Sequence, residues 1–271
     1  MDLLFWAPVL CAGLVAGVST GLLGSYIVGM RIPFLGICIA HAALAGAVFG
    51  ALCGLSGPYL LIPALVMAAL TAVLVGVLDP QVFRADADVV LGILFSFMMG
   101  MAFLGLGLFS RFGISDNEVR NLLWGSLTFC RWRDVWIMVA VLGVEVLFVL
   151  AFYKEMRAIL FSRTHAVAAG IRVTLVWTLF LLLASLVLTV NFQTVGGLMI
   201  YSLLTNPAVA ATRLVRGYGR VLCVSALLGA ASGAGGFVIS TLTDLPSGAV
   251  IVILSSLIVI MAFWWGRFGN R

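Results

Sequence analysis

Phe34-Leu35-Gly36-Ile37-Cys38-Ile39-Ala40-His41-Ala42-Ala43-Leu44-Ala45-Gly46 opens the stretch Phe34–Leu52, whose only ionisable groups are Cys38 and His41. A bilayer core takes roughly 20 apolar residues to cross as a helix, so this stretch can span. The same pattern recurs along the chain. We read nine hydrophobic segments, at about 9–29, 34–53, 57–78, 89–110, 135–153, 173–191, 194–211, 221–240 and 249–265. They predict an all-α, polytopic transmembrane bundle of about 8–9 spans. The short segment 194–211 carries Pro207, which lacks a backbone donor, and is expected to be broken rather than straight. Residues 2–8 are expected to form a short helix lying at the membrane interface.

Composition excludes most alternatives. The chain is 63% hydrophobic and 9% charged, with a mean hydropathy of +1.24. Soluble domains carry about 25% charged residues. A single transmembrane domain over residues 1–271 is expected. Every basic residue except Lys154 is arginine, and the net charge of +5 is spread over loops. That distribution speaks to topology, not nucleic-acid binding. Met1-Asp2-Leu3-Leu4-Phe5-Trp6 lacks the positive start of a cleaved signal and is expected to stay on the mature protein. Cys11, Cys38, Cys53, Cys130 and Cys223 form no C-x-x-C pair, so neither a disulfide framework nor a zinc cluster is suggested. No G-x-x-x-x-G-K-[ST] or H-E-x-x-H occurs, which removes P-loop ATP binding and zincin chemistry from this chain.

Charge sets an orientation. Arg31, Arg84, the group Lys154, Arg157, Arg163 and Arg172, the group Arg213, Arg216 and Arg220, and Arg267 with Arg271 all fall on one side of nine alternating segments. The positive-inside rule makes that side cytoplasmic, with the N-terminus outside and the C-terminus inside. The opposite loops are 54–56, 192–193, 241–248 and the longer 111–134, where Arg111, Arg120, Arg131 and Arg133 face Asp116, Glu118 and Asp134. Small residues repeat every fourth position: Gly13, Gly17 and Gly21; Ala42, Gly46, Gly50 and Gly54; Gly229 and Gly233. That spacing places them on one helix face and lets backbones approach closely.

One imidazole and one carboxylate lie deep in spans. An intramembrane titratable group is costly and marks a functional candidate. His41 is one, and imidazole is a common ligand for zinc, manganese and iron. Glu145, in Val141-Leu142-Gly143-Val144-Glu145-Val146-Leu147, is the other. It sits about ten residues, or ~15 Å, from the outer end of its segment. Cys38 lies three residues before His41 on the same helical face, and a Cys–His pair would favour zinc. His41, Cys38 and Glu145 are therefore the candidates for a metal path. Packing of Cys38 as a small hydrophobe and structural pairing of Glu145 are the simpler readings of each.

Four stretches together resemble the metal-ion permeases of bacterial ABC importers for zinc, manganese or iron. Phe34–Gly46 is similar to that family's F-L-G-D-x-x-A-H-A-x-L-x-G, with Ile37 where the family has Asp. Asp88-Val89-Val90-Leu91-Gly92-Ile93-Leu94-Phe95-Ser96 resembles D-T-A-I-G-I-x-F-S. Thr194-Val195-Gly196-Gly197-Leu198, followed by Asn206-Pro207-Ala208-Val209-Ala210-Ala211, resembles V-V-G-x-L-L and P-A-A-x-A. Asp244-Leu245-Pro246-Ser247-Gly248-Ala249 is close to D-L-P-[ST]-G-A, and Trp124-Gly125-Ser126-Leu127 is a weaker match to F-G-S-[IL]. The resemblance covers roughly residues 10–265, and the order of the motifs makes it specific.

The resemblance implies the helical fold of vitamin B12 and siderophore importer permeases, in the bacterial inner membrane. It implies a second permease chain, expected to be an identical copy, a cytoplasmic ATP-binding subunit and an extracytoplasmic metal-binding protein. A divalent metal would be transported substrate, with no cofactor held stably. It also assigns residues 155–171 as the coupling segment to the ATPase, with Phe161 and Gly170 matching and Ser162-Arg163-Thr164 replacing the family's acidic D-P-E. Ser162 can cap a helix there, and Arg163 is the expected ATPase contact. A chelate permease, or a proton-coupled carrier using His41 and Glu145 as a relay, is the alternative.

Overall fold

The computed structural model describes residues 3–77, 87–114 and 130–268. Arg84, the motif at 124–127 and most of the 111–134 loop lie outside them, as does the side chain of Asp88. Among the described residues the regular structure is helical: α1 Leu3–Gly29, α2 Phe34–Leu52, a 3₁₀ turn Gly57–Leu60, α3 Leu61–Val77, α4 Ala87–Phe112, α5 Trp132–Ala151, α6 Tyr153–Phe161, α7 Arg163–Ala168, α8 Val173–Val195, α9 Gly197–Leu214, α10 Tyr218–Thr243 and α11 Ser247–Phe268. The all-α polytopic fold is as the hydropathy predicts. Eight of these segments are long and apolar enough to cross a membrane, namely α1, α2, the turn with α3, α4, α5, α8, α10 and α11. The ninth hydrophobic segment forms α9, which stays helical through Pro207 rather than breaking there and is not among those eight. The interfacial helix expected over residues 2–8 is corrected: α1 runs unbroken from Leu3, with Pro8 inside it. Pro8, the sixth residue, lies beyond the first turn and removes one i→i−4 hydrogen bond from the helix.

The chain groups into two compact units. Of the described residues, the first holds 3–33, 130–143 and 191–268, and the second holds 34–77, 87–114 and 144–190.

In the first unit α1 pairs with α10, and α9 packs on α1, α10 and α11. The α1–α10 seam is built from the four-residue repeats. A Cβ at Gly13 would meet the Gly233 carbonyl oxygen at 3.0 Å. One at Gly17 would collide with the Gly229 backbone, and one at Gly21 with Ser225. Lipid tails are as apolar as the helices, so close backbone contact of this kind replaces the hydrophobic effect as the source of association. Ser225 Oγ closes the seam by donating to the Gly21 carbonyl at 2.6 Å.

In the second unit α2 is the central helix, packed along α3 and α4. Fifteen of its nineteen residues are buried, as expected of a helix apolar all round. Gly46 and Gly50 abut Pro63 of α3, while Gly105 of α4 receives Val48. Gly54, the last of that four-residue series, has a different role. It has φ +85 and open space around it, so it turns the chain after α2.

Candidate functional site

His41 stands in the middle of α2, only 6% exposed. Its Nδ1 lies 2.8 Å from the Ile37 carbonyl oxygen, one turn earlier. A carbonyl only accepts, so Nδ1 carries the proton and Nε2 keeps a lone pair in the neutral ring. A backbone carbonyl in this position is the usual partner that fixes tautomer and aim in a metal-binding histidine. The ring is held edge-on by Phe95 of α4, with centroids 4.9 Å apart and planes at 79°, and Phe95 also meets Phe34 at 5.6 Å. The first two motifs thus meet at one imidazole.

The other two path candidates are also buried. Cys38 is 0% exposed and Glu145 is 1% exposed. Ile37, at the position of the family Asp, is half-buried. Among the described residues no group of three or more His, Cys, Asp or Glu side chains is arranged to hold a metal. Among the described residues Cys38 and Glu145 therefore do not complete a three-ligand cluster with His41.

The third and fourth motifs shape the first unit. Gly196 adopts φ +96 and forms the N-cap of α9, a conformation that needs glycine. Asp244 takes the left-handed region at φ 53 to end α10, and Ser240 Oγ ties that turn by donating to the Leu245 carbonyl at 2.6 Å. Gly248 leaves room for Met199 of α9.

Ser202 and Thr205 bond back within α9, to the carbonyls of Met199 and Tyr201 at 2.8 Å each, rather than to the Leu203 carbonyl that Pro207 leaves without its usual donor. Asn206 instead reaches across to α11, donating to Ser255 Oγ at 3.0 Å and Ser256 Oγ at 3.2 Å. The sequence reading missed this bridge, although adjacent serines inside the last apolar segment were a signal for it. Thr205 and Asn206, with Tyr201 and Arg31, line a largely apolar cavity of about 480 Å³.

The segment 155–171, expected to couple to an ATPase, falls in two short helices, α6 and α7, and the turn after them. Ser162 is the N-cap of α7, as its position predicts. Its Oγ accepts from the His165 backbone N–H at 3.4 Å and lies 3.0 Å from His165 Nδ1. Met156, Ile159 and Ala166 turn inward, whereas Phe161 is 84% exposed. Gly170, at φ +80, makes the turn into α8, which accounts for a glycine there. The Arg163 guanidinium lies over the Trp177 ring at 5.1 Å, so its outer end rests on α8 of the same chain. Nothing in the motif comparison pointed to Trp177.

Membrane-length helices, an imidazole buried mid-span and an exposed two-helix elbow make up the described structure. The chain matches the ABC 3 transport family over residues 2–266, and it belongs to that family. It is 28% identical over 256 residues to the manganese transport system membrane protein MntC of Halalkalibacterium halodurans, covering 94% of this chain and 85% of that one. It is 29% identical to the zinc transport system membrane protein TroC of Treponema pallidum, covering 95% of this chain and 88% of the relative. It is also 29% identical to the chelated iron transport system membrane protein YfeD of Yersinia pestis, covering 95% and 84%. Among solved structures, PsaBC from Streptococcus pneumoniae in complex with Fab superposes with a TM-score of 0.82 at 23% identity, over 96% of this chain and 91% of that one. The family and the eight apolar spans make this a multi-pass protein of the bacterial inner membrane.

Proposed function

We propose that this chain is the membrane-spanning subunit of an importer for a divalent metal ion, manganese or zinc first and iron after them. The observation that carries this reading is His41: an imidazole buried mid-span whose Nδ1 lies 2.8 Å from the Ile37 carbonyl oxygen, an arrangement that leaves Nε2 as the ligating nitrogen. Relatives named for manganese, zinc and chelated-iron transport support it. The metal is cargo. A conducting site must bind well enough to admit an ion and weakly enough to release it. One imidazole, with Ile37 in place of a carboxylate, suits that requirement. Glu145 or Cys38 is the second ligand along the path, used one at a time rather than as a cage.

Energy comes from a separate cytoplasmic ATP-binding subunit seated on α6 and α7. An extracytoplasmic metal-binding protein delivers the ion, and a second copy of this chain completes the path. Phe161 supports the docking surface, since a large exposed aromatic is the residue type that anchors interfaces.

The test is ATP hydrolysis by the complex reconstituted in proteoliposomes, with manganese, zinc and ferrous salts compared and the delivery protein present. The reading expects stimulation by at least one of them, lost in His41→Ala. Hydrolysis indifferent to all three metals, or uptake that survives His41→Ala, would overturn it.

A further inference from the structure

The elbow α6–α7 is joined to the spans unequally at its two ends. On the entry side the helical ladder hardly pauses: Phe152 N–H donates to Phe148 at 2.9 Å, and Met156 N–H donates to Phe152 at 2.9 Å. A displacement of α6 therefore reaches α5 through continuous backbone bonds. On the exit side the ladder ends. Gly170 N–H turns back to Val167 at 2.9 Å, its φ is +80, and α8 begins only at Val173. Through the backbone alone, α7 and α8 meet at a glycine joint.

Side chains bridge that joint. The Arg163 guanidinium, at the first residue of α7, lies 5.1 Å from the Trp177 ring centre in the second turn of α8. Trp177 stacks on Phe180 at 5.7 Å and 25°. Phe180 meets Phe148 of α5 at 6.3 Å, and Phe148 meets Phe152 at 4.9 Å. The train returns to the residue that starts α6, so α5, α6, α7 and α8 form a closed circuit of contacts. Trp177 is 8% exposed and Phe180 1%, so both rings are held on several sides. Packed aromatic contacts of this kind have discrete arrangements and transmit displacement instead of absorbing it.

We infer that the train Arg163–Trp177–Phe180–Phe148 is the transmission element of this permease, with Trp177 a positioning residue that makes α8 move with the elbow. The inference rests on the proposed seating of an ATPase at α6–α7. It assigns Arg163 inward: the guanidinium locks the elbow to its own span, and the outward anchor is Phe161. A cation–π contact suits the task, since it strengthens where water is excluded and guanidinium stacks on indole as ammonium does not.

The test uses the whole chain co-expressed with its ATP-binding subunit. It compares wild type, Arg163→Gln, Trp177→Leu and Trp177→Phe in proteoliposomes supplied with the delivery protein and manganese chloride or zinc chloride. Three quantities are read: ATPase subunit recovered with the chain, ions taken up, and ATP hydrolysed per ion. In Arg163→Gln and Trp177→Leu the recovery should stay within about twofold of wild type while ATP spent per ion rises about tenfold, in the range usual for lost coupling. Trp177→Phe keeps an aromatic face and should restore most of the ratio. Arg163 is solvent-exposed, so its variant reports even if Trp177→Leu folds poorly. An unchanged ratio in Arg163→Gln would overturn the inference, and so would loss of ATPase recovery in that variant, which would make the contact a docking device. Failure of the wild-type chain to retain any ATPase subunit would instead overturn the seating on which the inference rests.

Discussion

The Nδ1 of His41 and the carbonyl oxygen of Ile37 are 2.8 Å apart, so the backbone of one residue aims the side chain of the other. The residue whose side chain departs from the family motif still serves the histidine through its main chain. His41→Ala is expected to lower uptake by at least about tenfold at unchanged membrane abundance, as for loss of a metal contact or its orienting partner. Ile37→Asp puts a carboxylate one turn before the imidazole. It should lower the half-saturating metal concentration while also lowering the maximal rate, because a tighter site releases its ion more slowly. Isotope uptake against metal concentration reads both. A maximal rate that rises with affinity would contradict the weak-site account.

The α1–α10 seam yields a prediction with its own control. A Cβ at Gly17 collides with backbone of Gly229, which has no rotamer to yield. Gly17→Ala should destabilise the protein by about 1–3 kcal/mol or more, the usual cost of overpacking. Gly143 has open space where its Cβ would lie, and Gly143→Ala should be neutral or better because alanine is the stronger helix former. Thermal inactivation of the detergent-purified chain separates the two. Equal melting of both variants would mean that the seam tolerates separation.

Much of this was legible in the chain because each signal was local. Spans followed from hydropathy, the seam from glycines every four residues, and the α7 cap from Ser162. Residues whose meaning depends on a distant partner were not legible. Trp177 reads as one more apolar residue until Arg163 is seen over it, fourteen positions earlier in sequence and across a glycine joint. Asn206 reads as a proline neighbour until Ser255 and Ser256 are found on α11. His41 could be singled out from sequence because its cost in a membrane is intrinsic. Its Phe95 contact could not, because only packing of α4 on α2 creates it.

Cys130 gives a pH test outside the spans. Burial pushes its thiol up to about 12, and the Asp134 carboxylate adds to the rise. Maleimide reacts with thiolate, so labelling at pH 8 should be slower than for an ordinary thiol by about three powers of ten, from the gap to the usual value near 8.5. In the folded protein the rate should climb about tenfold per pH unit up to the raised value, and after denaturation the same cysteine should titrate normally. The folded state holds this proton more tightly, so its contribution to stability is present below the unfolded pKa and fades as pH rises above it. A chain retaining only Cys130 isolates the signal. Fast labelling at neutral pH would show that the residue is open to water.

Phe161 is the residue on which docking should depend. It is 84% exposed at the end of α6, beside a turn fixed by the Ser162 cap. Phe161→Ala should weaken recovery of the ATP-binding subunit by at least about tenfold, since exposed aromatics that become buried at interfaces commonly cost about 2 kcal/mol or more when truncated. Folding of the chain should be untouched, because the ring meets only His165, at 6.1 Å, among the ring contacts of this elbow. Quantitative pull-down at several salt concentrations is the measurement. An apolar anchor should be nearly indifferent to salt, whereas charge-led docking through Arg157 or Arg172 would fall with it.

The α1–α10 pairing also determines the role of α9. Residue numbers rise along α1 as they fall along α10: Gly13 meets Gly233, Gly17 meets Gly229, Gly21 meets Ser225, and Tyr26 bonds Tyr218 through their hydroxyls at 2.8 Å. The two helices are antiparallel. If the chain crossed the membrane only with the eight strongly apolar helices, α10 would be the seventh crossing and would run parallel to α1. Counted over the described helices, antiparallel pairing calls for α9 to cross as well, despite its polar residues. α11 becomes the ninth crossing, and the two ends of the chain fall on opposite sides. With the arginine-rich loops inside, reporters should find the N-terminus extracytoplasmic and the C-terminus cytoplasmic. Impermeant labelling of single cysteines at 192–195 and at 215–217 should show the first outside and the second inside. Accessibility of both from one side would mean that α9 enters and returns, and that the antiparallel seam is wrong.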